Sequence, residues 1–193
     1  MKRSPALIKL SALALACALP FAASAADGVS YNYVQAGYTA INSDLDAKGW
    51  GAEGSVAVAP NFHVFGSYAN YSVDGFFPAF NDVNIDAWRI GAGYNTAISN
   101  KVDFIGRAAY EKLDAGSGAN ADGYSLEAGV RASLAPKLEG YAMLGYEDGD
   151  GYNGDAYGRL GAHVKFNQNW GLAADVKVAS GDTQWMVGPR LTW

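Results

Sequence analysis

Two groups of residues invite a chemical reading. The first is the stretch Tyr146-Glu-Asp-Gly-Asp-Gly-Tyr-Asn-Gly-Asp155, with four acids and three glycines in ten residues. Carboxylates spaced between glycines suit a hard cation such as calcium, and the same residue types dominate turns. The EF-hand pattern separates the two. Counted from Asp148, it needs an oxygen ligand at the fifth position, glycine at the sixth and glutamate at the twelfth. This chain has Tyr152, Asn153 and Arg159 there. The motif fails, and Asp148 to Asp155 is expected to be a loop tip. The second group is the two histidines. His63 follows the Pro60-Asn61 turn and His163 approaches Asn167, which places both near the same end of the elements that carry them. Their expected role is satisfied polar packing. No catalytic constellation, metal site or cofactor is expected.

The elements around these residues follow a period of two. In Tyr124-Ser-Leu-Glu-Ala-Gly-Val-Arg-Ala-Ser-Leu134, one face carries Tyr124, Leu126, Ala128, Val130, Ala132 and Leu134, the other Ser125, Glu127, Gly129, Arg131 and Ser133. A strand separates these sets completely, whereas a helix mixes them. The same alternation predicts ten strands, near 30–41, 49–59, 62–72, 85–95, 102–113, 123–135, 138–148, 156–166, 170–179 and 184–193. Each is about the 9–11 residues that cross a bilayer as a tilted strand. Tight connections such as Pro60-Asn61 and Pro136-Lys137 alternate with longer Asp- and Gly-rich links at 42–48, 73–84, 114–122, 149–155 and 180–183. Short turns on one side and long loops on the other are the pattern of outer-membrane barrels.

Residues 1–25 stand apart. Lys2, Arg3 and Lys9 accompany an apolar run through Leu19, and Ala23-Ser24-Ala25 has the small-x-small form of an export cleavage site. Cleavage is expected after Ala25, leaving a barrel domain over 26–193. Cys17, the only cysteine, lies inside the export segment, so the mature chain has no disulfide. Removing three of the fourteen basic residues leaves eleven against nineteen acids, a net charge of −8. That disfavours a nucleic-acid binder.

The direction of the apolar face decides between a soluble, lipocalin-type barrel and its inverted membrane form. Aromatic residues gather at both ends of the apolar stripes. Trp50, Trp88, Tyr110, Tyr124, Tyr146 and Trp185 lie towards the long loops, and Phe62, Tyr94, Phe104, Phe166, Trp170 and Trp193 towards the short turns. Two interfacial girdles explain this. The polar face is charge-balanced: Glu53, Asp103, Glu111, Glu127, Glu139, Glu147 and Asp175 against Arg89, Arg107, Arg131, Arg159, Lys165, Lys177 and Arg190. A narrow lumen requires such balance, because unpaired buried charge is costly. Lumen-facing glycines at 37, 51, 91, 93, 129, 145, 161, 171 and 188 make room for long side chains. The chain ends in an alternating apolar strand closing on Trp193. The expected fold is all-β, a transmembrane antiparallel up-and-down barrel of ten strands, with eight as the alternative.

Residues four apart on a strand lie about 13 Å apart, so the lumen ion pairs are expected between neighbouring strands. Ten strands exceed the eight that side chains fill and fall well short of a sixteen-stranded pore, so a filled lumen is expected over a charged constriction. Loop acids such as Asp44, Asp46, Asp74, Asp82, Asp86, Asp122 and Asp182 suit divalent bridging to lipopolysaccharide phosphates. Phe76, Phe77 and Phe80 suit a cap on the barrel or contact with lipid.

Asn61-Phe-His-Val-Phe-Gly, Gly106-Arg-Ala-Ala-Tyr-Glu-Lys, Leu134-Ala-Pro-Lys-Leu-Glu-Gly-Tyr, Gly145-Tyr-Glu-Asp-Gly-Asp-Gly, Asn169-Trp-Gly-Leu and Gln184-Trp-Met-Val-Gly-Pro-Arg resemble a family of small outer-membrane β-barrel proteins of plant-associated Gram-negative bacteria. The likeness runs from the export segment to the last residue. That family was once proposed as the activator of a rice immune receptor, and is linked to quorum sensing and outer-membrane vesicles. The resemblance implies a barrel in the outer membrane or in vesicles. The immune proposal concerned an N-terminal tyrosine-containing peptide; Tyr31 and Tyr33 lie in the matching region and read as strand and girdle tyrosines.

The expected function is a non-enzymatic outer-membrane protein at the cell surface, engaged in surface interaction or signalling. Its expected partners are membrane lipid, lipopolysaccharide and, through the C-terminal strand, the barrel-assembly machinery. The expected state is a monomer. A narrow solute channel is the alternative, followed by a surface enzyme and a soluble periplasmic ligand-binding barrel. Outer-membrane proteases and lipid A-modifying barrels place their histidine near the extracellular rim, whereas His63 and His163 belong at the opposite end.

Overall fold

The computed structural model describes residues 25–43, 46–73, 83–116, 120–150 and 152–193. The export segment up to residue 24, the three loop phenylalanines, Asp44, Asp74 and Asp82 lie outside the described residues. Ten strands form one closed antiparallel barrel: β1 (Tyr33–Asn42), β2 (Ala47–Ala59), β3 (Phe62–Val73), β4 (Val83–Ser99), β5 (Val102–Asp114), β6 (Asn120–Ala135), β7 (Leu138–Gly149), β8 (Tyr152–Lys165), β9 (Trp170–Val178) and β10 (Thr183–Thr192). Each strand pairs with its neighbours in sequence, and β1 pairs with β10 to close the ring. Closure leaves no strand edge unpaired, the condition for crossing lipid with β-structure.

The apolar face points outward. Leu126, Leu134, Leu144, Ile90 and Leu160 are exposed on the outer wall, while Glu127, Arg131, Arg107 and Asp103 from the same strands or their neighbours are buried. This is the inverse of a soluble protein. Aromatic pairs across adjacent strands form the belts: Trp50 with Tyr68 at 5.3 Å, Trp88 with Tyr110 at 5.5 Å and Tyr38 with Trp185 at 5.4 Å near the long loops, and Phe62 with Tyr94 at 5.3 Å near the short turns. Tyr38 and Tyr68 extend the set read from the sequence. Trp185 is half-buried against Tyr38 and donates from its indole Nε1 to Asn42. Tyr124, Tyr146, Phe104, Phe166, Trp170 and Trp193 are exposed.

At the β1–β10 seam, a Cβ on Gly188 meets the Ala36 carbonyl oxygen at 2.0 Å, and one on Gly37 meets that of Val187 at 2.1 Å. Only glycine fits this close approach.

Several strand bounds differ from the expected ones: β2 starts at Ala47 rather than 49 and β6 at Asn120 rather than 123, and three other departures change the reading. The first strand starts at Tyr33, not at 30, because residues 25–32 turn inward. Gly28 adopts a positive φ of 83° in a turn in which the Val29 amide donates to the Ala26 carbonyl at 3.0 Å. The fourth strand runs on to Ser99, leaving only Asn100-Lys101 as its turn. The acidic stretch is not a long loop: β7 continues to Gly149 and β8 begins at Tyr152, with Glu147 opposite Asp155 and Gly149 opposite Tyr152. Main-chain pairing continues past the girdle because each backbone bond still gains a partner there, whatever the side chains. Asp148 accepts from the Gly149 amide at 2.9 Å and from the Tyr124 hydroxyl at 3.3 Å, and Asp155 from the Ser180 amide at 3.0 Å.

Candidate functional site in the barrel lumen

All fourteen charged residues of the polar face lie in the lumen, in three layers. The middle layer centres on Glu127 of β6. Its Oε2 lies 2.6 Å from Arg107 Nη2 and 3.1 Å from Arg89 Nη2; its Oε1 lies 3.4 Å from Arg159 Nη1 and accepts from the Tyr157 hydroxyl at 2.9 Å. Arg89 also pairs with Glu111 at 2.9 Å, and Arg159 with Asp175 at 2.9 Å and Glu53 at 3.7 Å. Tyr33 donates to Glu53, Tyr141 to Asp175, and Ser125 to Glu111.

Pairs such as Arg107 with Glu127, Arg89 with Glu111, Arg131 with Glu139 and Arg159 with Asp175 join neighbouring strands, as the spacing implied, but others pass beyond them. Arg89 on β4 reaches Glu127 on β6, and Arg159 on β8 reaches Glu53 on β2, nearly across the barrel. Small residues on the intervening strands allow it. Tyr157 lies over Gly145 of β7 on its way to Glu127, and Tyr141 lies over Gly161 of β8 on its way to Asp175. An added Cβ would stand 2.4 Å from the Tyr157 ring and 2.2 Å from the Tyr141 ring. The lumen is narrow enough for one side chain to skip a strand. Spacing along one strand therefore indicates the neighbouring-strand pairs but not those that skip a strand.

The layer nearest the short turns holds Arg131 with Glu139, Lys165 at 3.5 Å from Glu139, and Arg190 donating to Gln35 at 2.7 Å. Residues 25–32 enter this layer from the mouth and close it. Tyr31 is 1% exposed, stacks on His63 with ring centroids 4.6 Å apart, and donates to Asp103 Oδ2 at 3.0 Å. The Arg131 guanidinium lies 4.9 Å from the Tyr31 ring. Ala26, Val29 and Tyr31 pack with Ala57, Ile105 and Met143 as an apolar cluster inside the barrel. The Asn32 side chain accepts from the Ala57 amide at 2.8 Å, which anchors the segment where β1 begins. Tyr31 and Tyr33 are therefore lumen residues, not girdle residues. The sequence signal for this was a tyrosine pair flanked by Gly28, Ser30 and Asn32, where the alternation breaks down.

Both histidines are buried near the short turns. His63 is satisfied, as expected, with Nδ1 3.2 Å from the Asn95 side-chain oxygen. His163 does not: neither ring nitrogen has a hydrogen-bond partner among the described residues. It packs over Gly171, where a Cβ would lie 2.3 Å from its Nε2.

Towards the long loops the lumen opens into a cup of about 480 Å³. Its floor carries Glu53, Arg89, Arg159 and Asp175, and its upper wall Tyr71, Gln184, Ser180 and Asp182. Lys177 pairs with Glu147 and lies 4.3 Å from the Tyr157 ring. The arrangement supplies a polar surface of both signs on one side of the barrel and a closed layer on the other.

A closed ten-stranded barrel with an apolar, belted exterior and a charged interior is an outer-membrane β-barrel. No family model matches the chain, and no curated protein matches it. Solved structures do share the fold. The KdgM porin in complex with disordered oligogalacturonate gives a TM-score of 0.51 at 14% identity, over 83% of this chain and 99% of that one. The β domain of the Bordetella autotransporter Brka gives 0.51 at 12% identity, over 86% and 100%.

Proposed function

We propose that this protein acts at the cell surface as a non-enzymatic barrel, through its outward-facing cup and rim, and does not serve as an open pore. One observation carries the reading: residues 25–32 and the Glu127 layer fill the inner part of the lumen, while the 480 Å³ cup faces the long loops. A porin needs a continuous aqueous path; a surface receptor or adhesin needs only the outer end. Monomeric insertion fits closure of the ring, which leaves no edge for a second copy. The exposed acids at the rim suit divalent bridging to lipopolysaccharide, and the β10 strand ending at Trp193 suits recognition by the assembly machinery.

The signalling role implied by the family resemblance, in the membrane or in shed vesicles, is compatible with surface display. Recognition of Tyr31 or Tyr33 as a peptide would require unfolding or release, since both are buried in the lumen.

Planar-bilayer recording tests the reading. The purified protein is expected to insert without steady unitary current, and stable open-channel current in unmodified protein would overturn it. A gated channel is the second reading, favoured by one feature: residues 25–32 close the mouth without joining the sheet.

A further inference from the structure

Asp103 has an unusual environment. Its side chain is fully buried at the inner mouth, and among the described residues no basic side chain lies within ion-pair distance. Arg131, opposite it on β6, is engaged by Glu139. A buried carboxylate without a counter-charge is costly. Two donors do reach it: the Tyr31 hydroxyl at Oδ2, 3.0 Å away, and the backbone nitrogen of Ala26 at Oδ1, 2.8 Å away. Ala26 is the residue that follows the expected cleavage after Ala25. The nitrogen that meets the unpaired carboxylate is the one that processing converts from an amide into an amine.

We propose that Asp103 is the receptor for the α-ammonium group formed at Ala26 when the export segment is removed, and that this ion pair fastens residues 26–32 across the inner mouth. Hydrolysis of the Ala25–Ala26 peptide bond consumes one water, leaves a carboxylate on Ala25 and gives Ala26 a protonated amine. Before cleavage the position offers one neutral N–H. Afterwards it offers a positive charge to a buried negative one, and a charge-assisted bond is roughly twice as strong as a neutral one. The turn at Gly28 and the bond from the Asp27 amide to the Asn100 carbonyl at 2.8 Å hold the nitrogen in place. Closure of the mouth is thereby tied to maturation. The inference rests on the closed-barrel reading above.

The test uses protein isolated from outer membranes. Mass spectrometry of its first peptide is expected to begin at Ala26; any other first residue overturns the proposal. The protein is then unfolded, acetylated selectively on the α-amine under mildly acidic conditions where lysines stay protonated, and refolded into detergent micelles. Hydrogen exchange over residues 26–32 is expected to rise about tenfold or more, as for loss of a charge-assisted bond. In Asp103→Asn, exchange starts high and acetylation adds less than about twofold. Unchanged exchange after acetylation of the unmodified sequence, or an equal rise in both backgrounds, overturns the ion pair. The acetylated parent carries the test even if Asp103→Asn does not refold. Bilayer recordings on the same samples keep the two readings apart: steady current from the free-amine protein defeats the closed barrel, while the exchange result decides the ion pair in either case.

Discussion

Glu127→Gln is the sharpest probe of the lumen. The side chain is fully buried, and glutamine keeps its shape while removing the charge that three arginines share at 2.6, 3.1 and 3.4 Å. The consequences for the three differ. Arg89 retains Glu111 and Arg159 retains Asp175, each at 2.9 Å. Arg107 has no other ion-pair partner among the described residues, so one guanidinium is left buried and uncompensated. Breaking a buried pair on one side costs about 3–5 kcal/mol. That lowers the folded-to-unfolded ratio by about two to four orders of magnitude, at about 1.4 kcal/mol per factor of ten. Removing both members with Glu127→Gln/Arg107→Gln eliminates the orphan charge and is expected to bring stability back to within about 2 kcal/mol of the parent. The assay is urea unfolding in lipid vesicles, followed by tryptophan fluorescence and heat-modifiable gel mobility. A Glu127→Gln loss below about 1 kcal/mol, or a double variant less stable than the single one, would refute the view that this residue is the charge hub.

Three further outcomes follow from the same geometry. Leu144→Arg, placing a charge on the lipid-facing wall midway along β7, is expected to cost about 2–4 kcal/mol in vesicles, measured by the same urea assay; a neutral result would contradict the outward apolar face. Gly161→Ala pushes a methyl group into the Tyr141 ring and is expected to destabilise by about 1–3 kcal/mol, whereas Gly158→Ala, with nothing within 4 Å of its added Cβ, is the control expected to stay near parent stability. Tyrosine nitration in micelles, read by peptide mass spectrometry, is expected to modify exposed Tyr124 and spare Tyr31 and Tyr33 until the barrel is unfolded; early labelling of Tyr31 would mean the inner mouth is open.

The legible part of the site was its membership. The residues of the lumen could be read because side chains alternate strictly along a strand, so Glu127 and Arg131 must share a face opposite Leu126 and Val130. The partners of those charges were not legible. Arg159 meets Glu53 because β8 and β2 face each other across a ten-stranded ring, a relation set by closure. β8 begins earlier than the side-chain pattern suggests because backbone pairing continues through the polar Tyr152-Asn-Gly-Asp155. His163 was read as satisfied because nothing in its neighbourhood along the chain tells which groups approach it from other strands.

The sequence by itself determined the fold class, the inward and outward faces and the two aromatic belts, since all three depend on local periodicity and on where apolar runs end. The tertiary structure decided the rest. It turned residues 25–32 into the lumen, brought the Ala26 nitrogen to Asp103 from 77 positions away, and drew three arginines onto one glutamate. Those meetings join residues that no local pattern connects. They arise because a closed barrel encloses a space too narrow for any long side chain to avoid those arriving from other strands.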